Sequence, residues 1–224
     1  MRAHFTPALF AFLRDLKRHN DREWFAANRD RYVADVETPM LAFIADFGAR
    51  LRAISRCYVA DPRRMGGSMF RIYRDTRFSA DKSPFKTHVA ARFPHEARRK
   101  VENVPGFYLS LSVKECYGGG GVYHTGTPAL TKIRQRIVDA PKAWQAVLDS
   151  GIEIEGDRLK RPPAGFKAAH PYIEDLKRKD LHCLDEFSES DVVSDDFLDR
   201  YTATCERAAP LIEFLTTALG LKWA

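Results

Sequence analysis

Cysteine is scarce and unpatterned in this 224-residue chain: Cys57, Cys116, Cys183 and Cys205 form no CxxC pair and have no histidine at a spacing that would complete a zinc site. Free thiols are expected, and neither a disulfide framework nor a metal is. Long apolar runs are missing as well. Nothing approaches the roughly 18 consecutive apolar residues of a membrane span. The short run from Leu9 to Leu13 is hemmed by Arg2, His4, Arg14 and Asp15, unlike a signal peptide. A soluble cytoplasmic protein without membrane contact is the expectation. The chain also lacks a linker-like stretch, an internal repeat and a low-complexity tract, so residues 1–224 should form one domain. A unit of this size buries roughly 70% of the surface its unfolded chain exposes, enough to fold without metal or disulfide.

Charge is plentiful but unevenly placed. The net charge is +6, yet the stretch from Arg63 to Lys100 holds eleven Lys or Arg against three acids, leaving 25 basic and 27 acidic residues elsewhere. The whole positive excess therefore lies in one segment, which points to an anionic partner without naming it.

Hydrophobic periodicity sets the elements. Leu9, Phe12, Leu13 and Leu16 recur at helical spacing from Pro7 to about His19. Asn20 and Asp21 suit the cap of a second helix through Trp24, Phe25 and Tyr32, which pauses at Thr38-Pro39 and resumes to Leu51. The period then changes: 69–74, 88–93 and 106–114 read as strands, with FYLSLSV the clearest. Four glycines, Gly118 to Gly121, should interrupt or bend the sheet. Helices return after Pro128 and Pro141, a small hairpin is expected at 152–159 around Gly156-Asp157, and a short helix near 172–179 precedes a strand at 181–187. A helix over about 195–219 closes the chain. This order predicts an α+β fold, with N-terminal, middle and C-terminal helices packed on a mainly antiparallel sheet.

The densest polar constellation is RIYRDTRFSADKSPFKTH. Arg71, Arg74, Arg77, Lys82 and Lys86 supply the guanidinium forks and ammonium groups that hold a phosphate or carboxylate, and Asp75 and Asp81 can orient them. The competing reading is a solvated loop whose Arg and Asp residues pair with one another, in which case the function is structural or lies in a protein contact. Gly119, Gly120 and Gly121 could aim amides at an anion, although the run lacks a P-loop ending and dinucleotide spacing. His124 and His170, like His88, lie where an imidazole can act on a ligand, while a hydrogen-bonded surface role is the commoner one. Phe70, Tyr73, Phe78, Phe85 and Phe93 interleave with the cations, the mixture used by single-stranded nucleic-acid platforms. With no RNP1, KH or zinc-finger pattern, nucleic acid ranks below a small anionic ligand. The residues assign no reaction, cofactor or oligomeric state. They include no GxSxG or HExxH motif.

The run RDTRFSADKSPFKTH, preceded by NDREWFAANRDRY and followed by YGGGGVYHTGTPALTKIRQRI and PPAGFKAAHPYIEDLKRKDL, resembles the bacterial family catalogued as domain of unknown function 2461. The resemblance runs from about residue 12 to about residue 190, with the motifs in order. It implies a single-domain bacterial protein with fungal relatives and no known activity. It draws attention to Trp24, Phe25, Arg74, Asp75, Arg77 and Phe78, then to Asp81, Lys82, Pro84 and Lys86, and finally to the glycine run, Arg134, Gly165 and His170-Pro171. Where the family pattern often has Tyr-Lys-Thr, this chain has Phe85-Lys86-Thr87, one phenolic hydroxyl fewer.

Overall fold

The computed structural model describes residues 3–99, 101 and 104–224; Lys100, the end of the basic segment, lies outside them. The first helix, α1 (Pro7–Arg18), begins with Pro7 in the first turn, where no amide is needed, and ends on Lys17 and Arg18, whose charge suits the carbonyl end of the dipole. Leu9, Phe12, Leu13 and Leu16 form its buried stripe. Asp21 caps α2 (Arg22–Ala27), its carboxylate accepting the Trp24 amide at 2.8 Å. The expected pause at Thr38-Pro39 is a widening of the helix rather than a break. Between α3 (Arg29–Tyr32) and α4 (Thr38–Ile54) a π-turn spans Val33–Glu37, and the Thr38 amide reaches back to Val33. Pro39 lacks an amide and crowds the preceding turn, so the chain accommodates it by loosening the ladder just ahead of it.

The strands β1 (His88–Pro94), β2 (Gly106–Ser112), β3 (Cys116–Val122) and β4 (Leu181–Phe187) form a sheet in the order β1-β2-β3-β4, antiparallel throughout. Between β3 and β4 the chain makes α5 (Thr127–Asp139), α6 (Pro141–Asp149) and α7 (Ile173–Leu176). After β4 come α8 (Glu189–Val192) and the long α9 (Phe197–Ala218). The α+β expectation therefore holds.

Three local expectations do not. The glycine run neither bends nor ends the sheet; it is the middle of β3, paired on both sides. Residues 69–74 are not a strand. Met69 touches β1 in one bridge to Ala91, after which the chain turns off and Tyr73 bridges to Phe85. The backbone there pairs with its own return, Arg74 donating to Pro84 and Lys86 to Ile72, so a short hairpin satisfies its amides locally. Residues 152–159 do not fold on themselves either. Glu155 bridges to His182 on the edge of β4 and Arg158 to Arg178 just before that strand, so the segment satisfies its backbone groups against the chain leading into β4 rather than against itself.

α9 lies across β3, and α4 packs against α9. Tyr201 of α9 is fully buried, its ring 4.9 Å from Phe47 and 5.5 Å from Phe43 of α4. Each such ring removed from water contributes roughly 1.5–3 kcal/mol. Buried Arg134 of α5 donates to the carbonyls of Leu176 (2.7 Å) and Arg178 (3.0 Å), pinning the chain that leads into β4. On the other flank, Asn20 both donates to the Phe85 carbonyl (3.0 Å) and accepts its amide (3.1 Å), and Phe85 stacks on Phe25 at 4.1 Å. One side chain thus acts as a strand partner and fixes the basic hairpin to the helices. All four cysteines are buried and free; burial pushes the Cys183 thiol up to about 11. Among the described residues no helix is long and apolar enough to cross a membrane.

Candidate functional site

Strand pleating gives the sheet two unlike faces. Phe93, Phe107, Leu109 and Leu111 point to the helices and are fully buried. Their neighbours alternate to the other face, where register aligns Arg92, Tyr108, Gly119 and Leu184 in one row and Pro94, Gly106, Gly121 and His182 in the next. Gly106 and Gly121 are directly paired, so no side chain fills the centre of this face. A cleft of about 530 Å³ opens there. Gly120 and Gly121 lie at its floor, and Phe70, Tyr108, Tyr117 and Tyr123 form its walls. Arg92 and His182 are the basic side chains in its lining. The glycine amides belong to a strand paired on both sides, so the run contributes space to the cleft rather than an amide cradle.

The charges around this cleft fall into two sets. In the hairpin from Tyr73 to Phe85, Arg74 pairs with Asp81 and donates to the Ser83 hydroxyl at 2.6 Å. Arg77 grips Asp75 through Nη2 at 2.7 Å and Nε at 3.0 Å. Lys82 donates to the Thr76 carbonyl at 3.0 Å. The Ser83 amide, then Arg74 and the Ser83 hydroxyl, hold Asp81 down to about 2, and Arg77 lowers Asp75 in the same way. These carboxylates consume the charge of Arg74 and Arg77.

The second set lacks such partners among the described residues. Among the described residues, Arg71, Lys86 and Arg92 have no carboxylate within ion-pair distance. The Lys86 ammonium lies 5.3 Å from the centre of the Phe70 ring, on the cleft wall. Its pKa falls below the usual lysine value, first through desolvation and then through Arg71. Arg92 reaches along the open face, donating from Nη2 to the Val104 carbonyl at 2.7 Å. Desolvation of its head group, then nearby Arg98, lowers its pKa, although the residue as a whole stays accessible. His88 is likewise lowered by burial and by Lys86 and Arg74. Burial also favours the neutral form of His182, against the opposing pull of Glu155 and Asp180. Its Nδ1 is buried without a partner, and its Nε2 lies 3.9 Å from Glu155.

The residues singled out by sequence therefore separate. Arg71 and Lys86 stand beside the cleft through Phe70, and Gly120 and Gly121 are in it. Gly119 occupies the adjoining row. Arg74, Asp75, Arg77, Asp81 and Lys82 bond within the hairpin. His124 is exposed at φ +50°; its amide donates to Asp180 at 2.7 Å, and its ring lies 4.0 Å from Tyr123. His170 accepts the Tyr172 amide at 3.1 Å in the loop before α7 and does not line the cleft. Arg92, Tyr108, Tyr117, Tyr123 and His182 escape sequence reasoning. The alternation of FYLSLSV hints at Tyr108, being out of phase with Phe107, Leu109 and Leu111, but its neighbours on the open face follow only from register. Among the described residues no group of three or more His, Cys, Asp or Glu side chains is placed to hold a metal.

A family model described as "Conserved hypothetical protein (DUF2461)" matches residues 8–214. No curated protein and no solved structure matches the chain.

Proposed function

The chain belongs to the conserved hypothetical protein family DUF2461, and we propose that it binds a small phosphate- or carboxylate-bearing ligand in the cleft on the open face of its sheet. The observation that carries this reading is the placing of cations without a carboxylate at ion-pair distance among the described residues: Lys86, 5.3 Å from the Phe70 ring and lowered in pKa by desolvation and then by Arg71, and Arg92 in the cleft lining, lowered by desolvation and then by Arg98. Holding cations together in a partly desolvated setting costs free energy that an anion between them would recover. Within this reading Arg74–Asp81 and Arg77–Asp75 shape the hairpin that presents Lys86.

Thermal unfolding with phosphate, sugar phosphates and small carboxylates tests it. At a hundredfold excess over Kd a ligand of the native state stabilises by about 2.7 kcal/mol, which raises Tm by about 5–11 °C for a chain of this size. The effect should saturate, persist in salt and weaken about tenfold or more in Lys86→Met and Arg92→Met. Equal response of both variants and the parent, or no response to any small anion, overturns the reading.

The hairpin's internal ion pairs favour a second reading, in which its Arg and Asp residues serve only structure and function lies in a protein contact. Arg74→Ala would then lower stability, with no anion protecting the parent chain.

A further inference from the structure

The aromatic lining of the cleft says more about its occupant than the charges do. Phe70 meets Tyr108 edge-on at 6.1 Å, and Tyr108 lies 5.9 Å from Tyr117. At the opposite end Tyr123, 66% exposed, stands edge-on to His182 at 5.9 Å. Between these ends the paired Gly106 and Gly121 leave a floor of bare backbone. Large aromatic rings left open on a sheet face, separated by glycine, form a slot whose unfilled faces suit another flat ring. The cations stand at one side of the slot only, through Arg92 and through Lys86 on Phe70. We infer that the occupant is a single planar aromatic compound bearing one anionic group, of the chemical class of a nucleoside monophosphate, its ring between Tyr108, Tyr117 and Tyr123 and its anion toward Arg92 and Lys86.

This rests on the anion-binding reading and extends it. A volume of about 530 Å³ falls in the range of roughly 300–1,000 Å³ typical of sites for one small ligand, which favours one nucleotide-sized molecule over a polymer. Stacking on a tyrosine contributes roughly 1–3 kcal/mol per base, so a ring should tighten binding by about tenfold or more.

Calorimetric titration of the full chain separates the possibilities, with the four nucleoside 5′-monophosphates and 4-hydroxybenzoate set against ribose 5-phosphate and acetate. At least one ring-bearing compound should bind about tenfold or more tighter than its ringless counterpart. Tyr117→Leu should cut that advantage while leaving ribose 5-phosphate unchanged. Tyr123→Ala, at an exposed position that cannot disturb the core, should weaken the ring-bearing ligand alone. If ringed and ringless compounds bind alike, the aromatic inference fails while the anion site stands. If none binds, both fail. If only a single-stranded decanucleotide binds, with affinity falling steeply in salt, the cleft is part of a nucleic-acid surface and the inference is overturned.

Discussion

The two faces of β3 use the same residue for unlike reasons. Toward α9, a Cβ at Gly118 would lie 2.7 Å from the Tyr201 ring, and one at Gly120 would lie 2.2 Å from Ile212 Cδ1; here glycine lets a helix approach the sheet. On the other face Gly119 and Gly121 have φ of +154° and +147°, and a Cβ would strike the carbonyls of Cys183 and Leu181 across the ladder. No helix presses on them, and the cleft opens on their side of the sheet. A run that looks like one flexible element is two interleaved pairs, one serving packing against α9 and the other facing the cleft.

The largest effect that would break this comparison comes from the helix side. Gly120→Val should cost about 2–4 kcal/mol, since overpacking a fixed core costs 1–3 kcal/mol and more where backbone lies close. The urea midpoint should fall accordingly, whereas Tyr117→Leu on the open face should move it far less. If the two variants lose equal stability, the division of the faces is wrong.

A smaller effect sharpens the comparison through pH. His88 and His182, both on the open face, have folded-state pKa values below the ordinary 6.5. The unfolded chain then binds protons that the native chain refuses, so their contribution is complete above about pH 6.5 and is lost as pH falls from there through the lower folded-state values. Urea midpoints at pH 7 and pH 5 should show the decline, and His88→Gln should reduce it. A midpoint equally pH-dependent in that variant would assign the slope elsewhere.

The smallest effect belongs to the hairpin. Arg77→Ala should leave the thermal unfolding midpoint close to that of the parent chain, because the Arg77–Asp75 pair is exposed and screened. A clear fall in that midpoint would give the pair a structural weight that its exposure denies it.

Much of the fold is legible in the residues. The stripe of Leu9, Phe12, Leu13 and Leu16, the cap at Asp21, the alternation of Phe107, Leu109 and Leu111 and the closing helix expected over about 195–219 are local patterns, and each became the element it implied. The site was legible only in part. Lys86 and Arg71 could be singled out because charge is countable, but nothing local tells which arginines have carboxylates of their own. Asp81 stands seven residues from Arg74, and the hairpin must close before the two meet.

The sequence by itself therefore determined most of the elements, their order and the segment that holds the positive excess, because periodicity and composition are properties of short stretches of chain. Tertiary structure decided that the glycines lie inside a strand, that Arg92, Tyr108, Tyr117 and His182 share a face, and that Arg74 pairs with Asp81 while Lys86 stands against the Phe70 ring. Strand register and the choice of which face a helix covers depend on contacts between residues far apart in the chain, and a shift of one residue in register would have turned every one of those side chains to the other side.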